Sequence, residues 1–182
     1  MLYKLNLTLT DADYVNFNFF QTFETPLGRK NILKCRILLA VGMALVAAIA
    51  VFARGWSQTS AIYVAICALL AAVFMVFLKR IMKTSLKKQL SQLRKSGKFH
   101  YTPQSEIEFY EDKFVEISEN QPIEKSYEAI ERVCVAGNRY IYMFTSSVGA
   151  YILPLSQVEK QLGKEEFLNF IRKKCPKVEL YK

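Results

Sequence analysis

Two uninterrupted apolar runs, Ile37 to Ala53 and Ala61 to Leu78, constrain this chain more than any other feature. The first has 17 residues and the second 18, and neither holds Asp, Glu, Lys, Arg or His. At 1.5 Å of rise per residue each covers about 25 Å as a helix, the short end of what a bilayer core requires. Arg36 and Arg54 bracket the first run and can snorkel to make up the difference. Trp56 and Tyr63 sit where an interfacial aromatic belt would lie. Core helices of a soluble protein would be shorter and would carry a polar face. A cleaved signal peptide is disfavoured too, because the first run begins 36 residues in, behind a patterned segment. The seven residues Arg54 to Ser60 are a short connection, so the two runs predict an antiparallel transmembrane hairpin.

Charge gives the expected orientation. Arg29, Lys30, Lys34 and Arg36 precede the first span. Lys79, Arg80, Lys83, Lys87, Lys88, Arg94, Lys95 and Lys98 follow the second, while the connection carries Arg54 alone. Twelve positive side chains against one place both termini in the cytoplasm of a multi-pass cell-membrane protein. Residues 99–182 are net −2, so the overall charge of +9 comes from the flanks of the spans. That distribution argues for contact with anionic lipid and against nucleic acid as a partner. The candidate lipid-contact residues are Arg29, Lys30, Lys34, Arg36, Lys79, Arg80, Lys83, Lys87 and Lys88.

The flanking segments are patterned. Tyr3 to Leu9 alternates apolar and polar, which predicts a half-buried strand. Thr10-Asp11-Ala12-Asp13 reads as a helix start, with a helix to about Glu24 burying Tyr14, Phe17, Phe20 and Phe23. Leu78, Met82, Leu86, Leu90 and Leu93 form the apolar stripe of a basic amphipathic helix over 79–96, stopped near Gly97. That helix lies either on the bilayer or on the domain below it.

From His100 the period changes to two. A hairpin is expected around Glu111-Asp112, with a break at Gln121-Pro122 and a short strand over Ile123–Tyr127. Strands at 132–135, 140–144 and 150–153 follow, separated by turns at Gly137-Asn138 and at Ser146 to Gly149. A helix over 164–172, with Phe167, Phe170 and Ile171 on one face, is ended by Pro176. Six or seven short strands and one closing helix make a small, strongly bent antiparallel sheet on the pleckstrin-homology-like (PH-like) plan. The expected class is therefore an α+β membrane protein: residues 1–28 a strand and helix, 29–98 the hairpin with its basic helix, and 99–182 a cytoplasmic domain.

Several stretches resemble the YcxB-like family of bacterial membrane proteins. They are Leu9 to Tyr14, Tyr101-Thr102-Pro103, Glu108 to Asp112, Tyr127 to Val133 and Ala150 to Pro154, and the two central spans are similar as well. The resemblance implies a bacterial inner-membrane protein, of Firmicute type, with a cytoplasmic C-terminal domain. It implies no activity. Leu155 departs from the pattern, since many relatives would carry a basic residue after the proline, and this weighs against a ligand role at that position.

No catalytic, cofactor-binding or metal-ligating residue is expected. The single histidine, His100, has no Ser, Cys or acid partner at a useful spacing. Cys35, Cys67, Cys134 and Cys175 form no C-x-x-C pair, and neither a disulfide nor a zinc site is expected. Glu106, Glu108, Glu111, Asp112 and Glu116 read as a solvated sheet face and turn. Ala40, Ala44 and Ala48, with Ala61, Ala65, Ala68 and Ala72, recur at helical spacing and would let the spans pack closely. The functional expectation is a membrane-anchored interaction module without catalysis, able to self-associate, whose ligand is a protein or a lipid headgroup. The alternatives are a regulatory subunit acting through its spans and a membrane-surface enzyme.

Overall fold

The alternation at the N-terminus does become a strand. In the computed structural model, which describes residues 1–96, 104–118, 121–147, 149–175 and 177–181, β1 is Tyr3–Thr8. Gly97, His100, the motif 101–103 and Pro176 lie outside the described residues. The chain divides into two units, residues 1–20 with 90–182, and residues 21–89. The N-terminal strand and the start of the first helix therefore belong with the C-terminal domain.

In the first unit, β1 pairs antiparallel with β2 (Gln104–Phe109), Leu5 opposite Ile107. β2 turns into β3 (Lys113–Ser118), the Tyr110 N–H donating to the Lys113 carbonyl at 2.8 Å. β4 (Gln121–Ser126) completes a sheet of order β1-β2-β3-β4. Pro122, expected as a break, lies inside β4 opposite Ile117. An edge strand tolerates proline because only one side of it carries a ladder.

The second sheet has the order β7-β6-β5-β8. Its strands β5 (Arg132–Ala136), β6 (Tyr140–Phe144) and β7 (Ala150–Pro154) are antiparallel neighbours. β8 (Val178–Tyr181) runs parallel to β5, which requires a crossover. The crossover includes α4 (Leu155–Leu162) and α5 (Lys164–Lys174). Neither β8 nor α4 is expected from the sequence.

Val133, Val135, Ile141, Met143 and Leu153 face one core, shared with Leu5, Ile107, Phe109 and Phe114 of the first sheet and with Phe167 and Ile171 of α5. Cys134, Tyr142, Phe144 and Ile152 face the other way and are covered by Phe17 and Phe20 of α1 (Asp11–Phe23). Burial on both faces is why these strands read as continuous apolar runs. The helix start behaves as the sequence expects: Asp13 Oδ2 accepts from the Thr10 N–H at 2.7 Å, and the Asp13 N–H returns to the Thr10 carbonyl at 3.0 Å.

In the second unit, α2 (Pro26–Arg54) and α3 (Gln58–Lys95, continuing to its last turns in the first unit) are joined by Gly55 to Ser57. With 38 residues, α3 is about 57 Å long, so the amphipathic segment continues the second apolar run without a break. Half-buried or buried positions recur along a seam, at Arg36, Met43, Ala47 and Ala50 on α2 and at Val64, Cys67, Ala71, Phe74, Leu78, Met82 and Leu86 on α3. Ala40 is half-buried there too, and alanines alternate with larger side chains along the seam. Ala44, Ala48, Ala61, Ala65, Ala68 and Ala72 are exposed, so most of the small residues expected to bring the helices close lie off it.

Candidate functional site

The nine expected lipid-contact residues gather at one end of the helical pair, and a cap explains where they begin. Thr25 Oγ1 accepts the Gly28 N–H at 3.1 Å and donates to the Gln21 carbonyl at 2.7 Å, and Pro26 occupies the first turn. α2 thus starts eleven residues before its apolar run, and Arg29, Lys30, Lys34 and Arg36 fall on its first three turns. Lys79, Arg80, Lys83, Lys87 and Lys88 fall on α3 directly after its run and are exposed, while Leu78, Met82 and Leu86 turn inward.

Local partners hold Arg29 and Lys79. Arg29 meets Glu24 at 3.3 Å and the Phe23 carbonyl at 3.4 Å. The Lys79 ammonium lies 5.8 Å from the centre of the Phe23 ring. Arg36 is half-buried, and its Nε has no hydrogen-bond partner among the described residues. Phe77, Arg80, Ile81, Thr84, Ser85 and Lys88 line a groove of about 400 Å³ on α3. Two cations and two hydroxyls beside two apolar side chains suit a phosphate with an attached chain. Thr84 and Ser85 were missed by charge counting; the i, i+4, i+8 spacing from Arg80 through Thr84 to Lys88 was the available signal.

The apolar lengths beyond this collar are uncovered. The most apolar 18-residue stretch of α2 contains no buried residue and that of α3 almost none. Phe52 is 96% exposed, and Trp56 and Val76 are each 75% exposed. Both helices are long and apolar enough to cross a membrane.

On the β domain one edge of the first sheet is closed. The Gln161 side chain accepts from the Asn6 N–H and donates to the Asn6 carbonyl, both at 2.9 Å. Gln157 does the same at Thr8, at 2.9 and 2.7 Å. Two glutamines one helical turn apart thereby copy a partner strand. The opposite edge, β4, is mostly exposed and presents Ile123 at its surface.

The acidic stretch does not act as one face. Glu106 and Glu108 lie on the outer side of the sheet, ion-paired to Lys4 at 2.7 and 3.8 Å, and Glu111 pairs with Lys174. The Glu106 hydrogen bond holds the Lys4 amine above its usual range. Glu116 instead pairs in register with the buried Ile107, which puts it on the inner face. Burial pushes the Cys134 and Cys175 thiols up to about 11, the Glu179 carboxylate adding to the effect at Cys134. Such thiols stay protonated and unreactive near neutrality. Among the described residues, no group of three His, Cys, Asp or Glu side chains is placed to hold a metal ion.

Residues 109–171 match the family model described as YcxB-like protein, so the chain carries a YcxB-like domain over that stretch, from the end of β2 into α5. The match contains the motifs at 127–133 and 150–154 and lies outside the motif at 9–14 and both apolar helices. No curated protein and no solved structure matches the chain.

Proposed function

We propose that this protein is a membrane-anchored cytoplasmic interaction module, with α2 and α3 spanning the cell membrane and the β domain engaging a protein or a lipid headgroup without catalysis. The observation that carries the reading is the uncovered apolar surface of the two helices, which water would penalise at about 25 cal/mol per Å². The pairing of β1 with β2 supports a two-span topology, because strands on either side of the hairpin meet only if both ends of it lie on one side. The basic collar makes the cytoplasmic side the favoured one, and each exposed cation adds about 1 kcal/mol of attraction to an anionic leaflet. A four-stranded sheet, three further antiparallel strands and a helix against their core fit the PH-like plan, with α4 and the parallel β8 as additions.

Two experiments test this reading. Tags at both ends of the full chain, expressed in a bacterial cell, should resist protease in intact spheroplasts and be cut in inverted vesicles; opposite protection of the two ends would overturn the topology. Photo-crosslinkers placed at exposed positions of 106–154 in living cells should yield a discrete protein or lipid adduct, and adducts no different from those of a surface-scrambled control would overturn the interaction role.

The exposed faces of α2 and α3 also favour a second reading, a regulatory subunit seated against the spans of a larger complex. Exchange of residues 37–78 for an unrelated two-span anchor separates the two: retained function favours the domain, and lost function favours the spans.

A further inference from the structure

Between the two sheets lies a cavity of about 380 Å³, lined from both sheets and by Tyr14 of α1. Its size is within the usual range for small-ligand sites. Strand register decides what lines it. Glu116 stands opposite Ile107, and Lys125 stands opposite Phe114; both partners are fully buried, so both charges are on the inner face. Among the described residues neither Glu116 nor Lys125 forms an ion pair. The Lys125 ammonium lies 5.1 Å from the centre of the Tyr151 ring. The Tyr151 Oη is itself buried; among the described residues its acidic neighbour is the Glu116 carboxylate, and no hydrogen bond of good geometry forms. Ser105 and Thr145 add hydroxyls to the lining, and Leu7, Ile123 and Ile152 add apolar surface.

We infer that this cavity binds a small zwitterion, a molecule carrying an ammonium group and an acid group on a short carbon skeleton. The amine faces Glu116, the acid faces Lys125 and accepts from Tyr151 Oη, and the skeleton lies against the apolar wall. A simple anion would meet the Glu116 carboxylate, and a simple cation would meet Lys125, so two opposite charges that are not paired with each other select against both. The inference stands whether or not the helices lie in a bilayer, and it assigns a ligand class to a place that the membrane reading leaves empty of function.

The test uses the full chain in dodecyl maltoside and calorimetric titration. The probes are L-valine, O-phosphoethanolamine and a short-chain phosphatidylethanolamine, against isobutylamine, isovalerate, ethanolamine and ethyl phosphate. At least one zwitterion should bind about 10-fold more tightly than either of its single-charge fragments. Which one binds distinguishes a soluble ligand from a lipid headgroup. Glu116→Gln should weaken the zwitterion about 10-fold and shift preference toward the acid fragment, and Lys125→Gln should shift it toward the amine. Tyr151→Phe, which removes the hydroxyl beside Glu116, should weaken binding several-fold in folded protein. Failure of all three zwitterions to bind, equal binding of the fragments, or indifference to both charge substitutions in folded protein would overturn it.

Discussion

At the scale of single residues, Gly28 has the least room for a side chain among the glycines of the described residues. A Cβ there would stand 2.1 Å from the Gln21 carbonyl oxygen and 2.5 Å from that of Thr22, both backbone atoms that cannot swing aside. Gly42 offers the opposite case, with nothing within 4 Å. Gly28→Ala should therefore destabilise by about 1–3 kcal/mol or more through overpacking. Gly42→Ala should be neutral or stabilising by up to about 1 kcal/mol, since alanine is the better helix former. Thermal unfolding of both variants in detergent checks the pair. The cysteines give a second expectation. Cys35 is exposed and should be alkylated by maleimide at pH 8, whereas Cys134 and Cys175 should react only on unfolding. Their thiols are raised on folding from the ordinary 9.0 to about 11. The folded state then holds more protons than the unfolded one between those values. This contribution is complete below pH 9 and lost as the pH rises to about 11, so replacing both cysteines by alanine should flatten the alkaline limb of the stability–pH curve.

Among the elements, the glutamine clamp on β1 is the most testable. Gln157→Met with Gln161→Met keeps size and helix propensity while removing four hydrogen bonds to the Asn6 and Thr8 backbone. Because the edge is partly wet, water replaces some of what is lost, and a net loss of about 1–3 kcal/mol is expected. Chemical denaturation measures it, and amide exchange at Asn6 and Thr8 should accelerate. The clamp also marks the limit of what the chain says about itself. Elements with a local signature were legible: the alternation of β1, the Thr10–Asp13 cap, the two apolar helices, the hairpin at Glu111-Asp112 and α5. α4 was not, because Pro154 reads as a stop and eight residues are too few for a clear period. β8 was not, because four residues gain their identity only from β5, more than 40 positions away. The cavity was hidden for a related reason. Phe114 and Glu116 share one side of β3, Val115 and Ile117 the other, and only pairing with Ile107 tells which is inside.

For the whole molecule, the decisive arrangement is that the helical hairpin is inserted into a domain instead of being appended to it, since β1 comes before it and β2 after. Deleting one apolar run should then do more than weaken anchoring. With residues 61–78 removed, β1 and β2 would emerge on opposite faces of the bilayer and could not pair, so the product should be degraded. Removal of 37–78 in full should leave the domain able to fold. Steady-state levels and limited proteolysis of the two deletions check this, and equal survival of both would contradict the two-span reading.

That same insertion sets a schedule for the nascent chain. At about 5–20 residues per second, β1 leaves the ribosome some 5–20 s before its neighbour β2 exists. Throughout that interval Leu5 and Leu7 have no sheet to join. Birth of this protein is thus a wait, in which the first strand made must be sheltered until both long apolar helices have been delivered.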